Sequence, residues 1–298
     1  MIKTKLLEEL VNDIPFEIPE KPEIYDIVLD SGATNGGYLI GCLLYLKELE
    51  EKKYIIIRKI SGSSIGSICG FLYLSNNLDL YEDIYCNSRD DIILNINFKK
   101  CTTILRNYIL QQDQNFYQKF NNKLYVSYYD TSKNIDIVTY KYKSNKDLFN
   151  KIRYSSYLPI FIDGNITANN KIDATIPYLF YEKNKVLFIN LTTYKKLSNC
   201  LNVSNKNSSY KILNGIIDIH EFYTTKVKTE LCSFVNDWTF NENTLFHLRV
   251  FIAYIIKYLI SKFVELKEYY ENHNEQYKAQ FFRYIVKIVR NHILLASA

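Results

Sequence analysis

Two isoleucine-rich strand patterns, each followed by a glycine-containing loop and a helical pattern, place the tightest limits on the fold of this chain. Residues 23–29 and 54–60 are short β-branched apolar runs, which are typical of buried strands. Between them, residues 37–51 carry apolar side chains at helical spacing, and another helical pattern follows to about residue 74. Two strands joined by a helix are normally parallel, so the sequence predicts a parallel α/β unit.

The rest of the chain extends this unit with further strands and with helices at both ends. Alternation in residues 124–129 and 135–140 predicts two adjacent antiparallel strands, and residues 186–191 are the last clear buried strand. Residues 3–12 and almost everything after residue 209 have helical patterns. We predict an N-terminal helical extension at 1–23, an α/β domain at 24–235 and a C-terminal helical region at 236–298.

Composition excludes several classes of protein. A chain of 298 residues that is 47% hydrophobic, with 9 Gly and 5 Pro, can bury a large core and is neither disordered nor collagen-like. Its net charge of +5, without a recognisable nucleic-acid-binding module, gives no reason to expect nucleic acid as a partner. The longest apolar stretch, 245–266, is interrupted by Arg249, Lys257 and Lys262, so we do not expect a transmembrane helix.

The N-terminus and the cysteines predict an intracellular protein. The first 23 residues have charges every few positions and lack the apolar core and cleavage site of a secretory signal. The six cysteines form no CxxC pair, so we expect reduced thiols, mostly in the core, and no zinc site. The sequence also lacks an HExxH motif, a Walker loop and a dinucleotide fingerprint, so neither a metal nor a cofactor is expected.

The clearest chemical signal is the sequence Gly62-Ser63-Ser64-Ile65-Gly66, a GxSxG motif between a strand and a helix. Glycines permit the crowded turn that lifts the central Ser64 to the N-terminus of the helix, where N–H groups and the helix dipole favour negative charge. The loop 30–36 after the first strand has the sequence DSGATNG, and its backbone amides are suited to hold an anion beside Ser64.

Residues 24–74, with the order strand, glycine-containing loop, helix, strand, GxSxG and helix, resemble the patatin-like phospholipase family. The resemblance implies a three-layer α/β patatin-like fold with a mostly parallel central sheet, followed here by a helical C-terminal extension. It also implies a serine lipid acyl hydrolase with a Ser-Asp dyad. Ser64 corresponds to the nucleophile, and the oxyanion hole corresponds to Gly32, Ala33, Thr34 and Gly36. Gly41 keeps the family's spacing into the following helix.

The loop departs from the family pattern, which has glycines at the positions of Ser31 and Ala33 and Arg or Lys at the position of Asn35. If residue 33 requires a positive φ angle, alanine costs about 1 kcal/mol relative to glycine. These departures support an alternative function, a catalytically impaired patatin-like scaffold that binds lipid or a protein partner.

Two aspartates are candidates for the dyad. The family's order of elements, with an Asp-Gly turn and a short strand before the dyad residue, favours Asp173, whereas Asp163 has the better local Asp-Gly signature. A Ser-His-Asp triad is a further alternative, but none of the histidines follows a strand pattern. They are His220, His247, His273 and His292.

The end of the sequence is basic. Arg283, Lys287 and Arg290 share one stripe of a predicted helix whose other side is aromatic and aliphatic. Such a helix is suited to peripheral contact with an anionic membrane, although a similar pattern is also typical of a helix that covers a sheet. The expected partner is therefore a phospholipid or another acyl lipid, with peripheral membrane contact through this basic helix as a hypothesis.

Overall fold

The computed structural model describes residues 2–95, 97–181, 184–192 and 207–272, together with Tyr284. Its strands are β1 (Glu23–Leu29), β2 (Ile55–Ser63), β3 (Leu124–Asp130), β4 (Ile135–Thr139), β5 (Lys171–Asp173), β6 (Lys185–Ile189) and β7 (Cys232–Phe234). Its helices are α1 (Ile2–Asn12), α2 (Gly36–Glu51), α3 (Ile65–Leu74), α4 (Leu80–Asn95), α5 (Lys99–Leu110), α6 (Asn145–Ser155), α7 (Asn207–Thr225) and α8 (Phe240–Asn272).

One mixed sheet organises these elements, with the strand order β4-β3-β2-β1-β6-β7 and with β5 paired to β3. The central strands β3, β2, β1 and β6 are parallel to one another, while β4 and β5 pair with β3, and β7 with β6, in the antiparallel direction. The predicted α/β class, the parallel unit of β1, α2 and β2, and the antiparallel pair of β3 and β4 are confirmed.

Side chains alternate across the central strand β1. Tyr25, Ile27 and Leu29 belong to the main core, which lies between the sheet and helices α1, α2, α3, α5, α6 and α7. Val28 points to the opposite face, where it packs with Phe188 and with the region of Phe246 in α8. The sheet is therefore covered on both faces, as expected for parallel strands.

Two glycines let α2 and α7 pack in close contact. A Cβ atom added at Gly41 would lie 2.0 Å from the carbonyl oxygen of Ile212, and one added at Gly215 would lie 2.2 Å from that of Tyr38. Side chains at these positions would force the two helices apart. The spacing of Gly41 noted in the sequence therefore has a packing reason.

The pairing of β5 with β3 places Asp173 next to the end of β2. β2 pairs with β3 up to Ser63 opposite Ser127, and β5 continues with Asp173 opposite Tyr128, the next residue of β3. Tyr128 also pairs with Ile137 of β4. Since a strand has two edges, β5 occupies the edge that β2 leaves free. Asp173 therefore lies immediately beyond the C-terminal end of β2.

One sequence expectation differs from the structure, and another is left untested by it. Residues 186–191 are not the last buried strand, because β7 pairs with β6 at Cys232–Phe234; three residues are too few to show a strand period. In addition, an 18-residue stretch of α8 has a mean hydropathy of 1.4, so this helix is long and apolar enough to cross a membrane by length and composition. Length and composition therefore leave the expectation of no transmembrane helix a prediction.

Candidate active site

Ser64 forms a strained turn between β2 and α3. Its backbone has φ 54° and ψ −127°, a region that non-glycine residues rarely adopt and that costs about 1–3 kcal/mol. A Cβ atom at Gly66 would lie 2.4 Å from the carbonyl oxygen of Leu29, and one at Gly62 would lie 2.5 Å from the carbonyl carbon of Gly66. Both glycines of the GxSxG motif are therefore required by close backbone approach.

The last residue of helix α6, Ser155, holds this turn in place through hydrogen bonds. The backbone N–H of Ser64 donates hydrogen bonds to the carbonyl oxygen and to the Oγ of Ser155, each at 3.1 Å. The Ser64 side chain does not cap α3. Ser64 and Asp173 instead line the same cavity, and the Ser64 hydroxyl lowers the pKa of the Asp173 carboxyl group. Ser155 was not predicted from the sequence, because nothing in a helical pattern marks a residue that contacts a distant turn.

Asp173 is buried beside Ser64. Its Oδ1 accepts hydrogen bonds from the Oγ of Ser63 at 3.2 Å and from the N–H of Thr175 at 2.7 Å. Burial raises the pKa of Asp173 to about 6, although the Ser64 hydroxyl, the hydrogen bonds from Thr175 and Ser63 and the charge of Lys257 oppose this rise. A carboxylate with a pKa near neutrality is a better proton acceptor than an ordinary aspartate.

The other candidate, Asp163, has a different environment. It forms an ion pair with Arg153 at 3.2 Å and accepts hydrogen bonds from the Tyr157 hydroxyl and the Asn165 N–H. These hydrogen bonds and the charge of Arg153 outweigh partial burial and hold the pKa of Asp163 below its usual value. The structure thus brings Asp173, and not Asp163, together with Ser64.

The loop after β1 faces the same cleft. Gly32, Ala33 and Ser64 line one cavity, which also contains Asp173. Ala33 adopts φ 44°, the region that favours glycine, so the strain considered for alanine at this position is present. Thr34 is buried, and it shares a second cavity with Ala33 and Ser64. A Cβ atom at Gly36 would lie 2.5 Å from Ile65, so this glycine allows the loop to approach α3.

A lysine from α7 contacts the same loop. Lys211 is buried, and its Nζ donates a hydrogen bond to the carbonyl oxygen of Thr34 at 3.1 Å. The sequence lacks a cation at Asn35, but Lys211 brings a positive charge to the loop from a distant part of the chain. Lys211 was not predicted from the sequence because its helix follows the loop by more than 170 positions.

Two cations of α8 contact the segments that carry the candidate site. Arg249 forms a bidentate ion pair with the buried Asp30, at 2.6 and 3.0 Å, and also donates a hydrogen bond to the carbonyl oxygen of Thr175 at 3.3 Å. Lys257 is buried, pairs with Asp136 and donates a hydrogen bond to the carbonyl oxygen of Ala174 at 3.1 Å. The residues after Asp173 are therefore held by α8.

Two cavities meet at Ser64 and Ala33. One has a volume of about 80 Å³ and extends between α4, α5 and α6, where its lining is almost entirely apolar. The other, of about 580 Å³, is more open and extends from Asp173 along α8, past Leu248, Ile252 and Ile256. An ester bond at Ser64 would thus have space on both sides.

Other candidate groups lie away from Ser64 or outside the described residues. The Nδ1 of His220 lies 2.9 Å from the Tyr45 hydroxyl, and burial lowers the pKa of His220. Of the described residues, no histidine lines either cavity at Ser64. The same part of the chain contains no cluster of three metal-binding side chains. His273, His292 and the basic stripe of Arg283, Lys287 and Arg290 lie outside the described residues.

Comparison with protein families gives a match over most of the chain. The family model described as "Patatin-like phospholipase" matches residues 27–250, which include the Ser64 turn, Asp173 and the first third of α8. A search of the curated proteins gave no match. The family match and the α/β architecture agree with the resemblance found in the sequence, and they support a lipid acyl hydrolase in general terms.

Proposed function

Because the chain belongs to the patatin-like phospholipase family, we propose that it hydrolyses fatty-acyl esters of phospholipids or related lipids through a Ser64-Asp173 dyad. The observation that carries this proposal is the placement of the strained Ser64 in one cavity with a buried carboxylate whose pKa is raised to about 6. The site requires no metal in this mechanism. The catalytic groups are a nucleophile, a base and backbone N–H donors.

The first half of the reaction forms an acyl-enzyme. The Oγ of Ser64 attacks the ester carbonyl carbon while its proton passes to the carboxylate of Asp173. The carbonyl oxygen becomes an oxyanion, which the N–H groups of Gly32 and Ala33 stabilise. Each such donor contributes about 3 kcal/mol to transition-state stabilisation. The C–O bond of the ester then breaks, and the leaving alcohol takes the proton from Asp173.

The second half regenerates the enzyme. Water attacks the acyl carbon and gives a proton to Asp173, and a second oxyanion forms at the same N–H donors. The bond from the acyl carbon to the Ser64 Oγ breaks, Oγ recovers its proton from Asp173, and the fatty acid leaves. No histidine is needed because the same carboxylate accepts and returns the proton in both halves.

The two cavities suggest how a lipid is oriented. The apolar cavity between α4 and α5, lined by Ile84, Ile92 and Leu105, is suited to an acyl chain. The more open cavity along α8 contains Arg249 and Lys257 and is suited to the remainder of the lipid. In this orientation the ester lies at Ser64, where the cavities meet.

The pH dependence of hydrolysis follows from Asp173. Since the base acts in its ionised form and its pKa is about 6, we expect kcat/KM to fall about tenfold for each pH unit below 6 and to level off above pH 7. The Lys257→Met variant removes a charge that lowers this pKa, so the midpoint should move to higher pH. Initial rates on a soluble ester, from pH 4.5 to 8.5, measure both effects.

A fluorophosphonate probe tests the proposed nucleophile. We expect the purified protein to be labelled covalently, the labelled peptide to contain Ser64, and Ser64→Ala to abolish the labelling. Ser156→Ala is the matched control because Ser156 lines the apolar cavity but donates its hydroxyl to the carbonyl oxygen of Ile152. This variant should be labelled like the wild type.

A wild-type protein that fails to react, or a label that persists in Ser64→Ala, would remove the proposal. Absence of both labelling and hydrolysis, combined with retained lipid binding, would favour the impaired scaffold. The strained alanine at position 33 is the observation in favour of that second function. We further propose an intracellular location and peripheral membrane contact of the basic segment at 283–290; both rest on the sequence alone.

A further inference from the structure

We propose that the outer face of α8 binds a lipid bilayer, with the helix lying in the plane of the membrane surface and the Ser64 cleft opening against the lipid. This inference rests on the proposed function, because it explains how an insoluble substrate reaches the cleft. It concerns α8 and is separate from the basic segment that follows it.

The outer face of α8 is almost uniformly apolar over four turns. Between Leu245 and Leu259, every exposed residue is Leu, Ile, Phe or Tyr except His247. Several of these apolar side chains are about half exposed or more, including Phe251 at 59% and Leu259 at 61%. The exposed set is Leu245, Leu248, Phe251, Ile252, Tyr254, Ile255, Ile256, Tyr258 and Leu259.

The cations of this segment do not interrupt that face. Arg249 turns towards Asp30, and Lys257 turns towards Asp136 and the carbonyl oxygen of Ala174. Both positive charges are therefore neutralised on the inner side of the helix. In the sequence these cations interrupt an apolar run. In the structure they lie on the inner face of an amphipathic helix, and the outer face is apolar.

These inner contacts favour an in-plane helix over a helix that spans the bilayer. A spanning helix would carry Arg249 and Lys257 into hydrocarbon, away from their carboxylate partners, which is unfavourable for each cation. An in-plane helix keeps both ion pairs and inserts only its outer face. Tyr254 and Tyr258, both exposed, have the amphipathic character that suits the membrane interface.

The exposed face of α8 is continuous with the cavity at Ser64, which favours lipid as its occupant. Leu248, Ile252 and Ile256 belong to the exposed face and also line the cavity that contains Ser64 and Asp173. A second copy of the chain on this face would cover the mouth of the cavity, whereas a bilayer would bring lipid molecules to it. The continuity of surface and cleft therefore favours a bilayer over a protein partner.

Binding to vesicles tests the proposal without requiring hydrolysis. In a Ser64→Ala background, the protein is mixed with phosphatidylcholine vesicles and separated by flotation. Uncharged lipid isolates the apolar contribution from electrostatic attraction. The triple substitution Phe251→Gln, Ile255→Gln and Leu259→Gln changes exposed residues that do not line the cavities. We expect it to lower the vesicle partition coefficient about tenfold or more.

A matched control lies on α7. Tyr210, Leu213 and Ile217 have exposures of 60%, 42% and 50%, close to those of Phe251, Ile255 and Leu259, and their replacement by glutamine should leave vesicle binding unchanged. With Ser64 intact, both triple variants should hydrolyse a soluble short-chain ester like the wild type. The α8 variant alone should lose hydrolysis of vesicle phospholipid.

Three outcomes would overturn the inference: no vesicle binding by the parent protein, equal binding by the α8 variant, or equal losses in the two triple variants. A concentration-dependent dimer that the α8 substitutions dissociate, in a protein that does not bind vesicles, would assign the face to a second copy. Failure of the proposed hydrolysis would appear differently, as normal vesicle binding without turnover of any ester.

Discussion

Asp173→Asn should reduce ester hydrolysis by about 10³-fold and at the same time stabilise the folded protein at neutral pH. The activity falls because an amide cannot accept the Ser64 proton, and positioned general bases typically contribute about 10²–10⁴-fold. The amide oxygen can still accept the hydrogen bonds from Ser63 and from the Thr175 N–H, so the local structure should persist. Steady-state kinetics on a soluble ester measure the loss.

The gain in stability follows from the raised pKa. Folding moves the pKa of Asp173 from 3.8 to about 6, so the folded state holds this proton more tightly than the unfolded state. The stabilisation from this proton is complete below pH 3.8 and is lost as the pH rises through 6. At neutral pH the free energy of unfolding is therefore about 3 kcal/mol lower than at low pH, as far as this group contributes. Asparagine avoids that cost because it carries no charge.

Urea unfolding at two pH values separates this effect from a general change in packing. The variant should be more stable than the wild type at pH 8, with a difference that shrinks towards pH 4. Asp163→Asn is the control: this aspartate is paired with Arg153 and its pKa is lowered, so its replacement should spare activity and should not stabilise the protein. A destabilised Asp173→Asn variant at pH 8 would contradict the prediction.

Local patterns predicted the Ser64 turn well because its causes are local. The strand, the two glycines and the helix around Ser64 are contiguous, and the closest contacts of Gly62 and Gly66 are with the first turn of α3 and with Leu29 and Asp30 at the end of β1. Asp173 could be proposed only through the family's order of elements. Its position depends on the pairing of β5 with the edge of β3 beyond Ser63, and a three-residue strand gives no periodic signal.

The contacts made by α8 and α7 could not be predicted for a similar reason. Arg249 and Lys257 are read in the sequence as interruptions of an apolar run, because their partners Asp30 and Asp136 lie more than 100 positions earlier. Lys211 likewise reaches Thr34 from a different helix. The spacing of Arg249 and Lys257 is the one signal in the sequence, because residues eight positions apart lie near the same side of a helix and can face the same surface.

Arg249→Met is expected to destabilise the protein by about 3–5 kcal/mol, the usual consequence of removing one partner of a buried ion pair. The Asp30 side chain is fully buried, and the donors left to it among the described residues would be the N–H groups of Ser31 and Leu191 and the Thr192 hydroxyl. Arg249→Lys should lose less stability than Arg249→Met because lysine keeps the positive charge. It should still be less stable than the wild type because lysine cannot form the bidentate pair. Urea unfolding of the three proteins measures the differences.

A charge-neutral double variant distinguishes loss of the ion pair from loss of packing. Asp30→Asn combined with Arg249→Met removes both charges and should recover part of the stability lost by Arg249→Met alone. Lys262→Met is the matched control on the same helix; its exposed pair with Glu265 should contribute nothing measurable. An Arg249→Met protein as stable as this control would show that Asp30 does not depend on α8.

Because Arg249 also contacts Thr175, two residues after Asp173, the stability loss should be accompanied by a lower kcat.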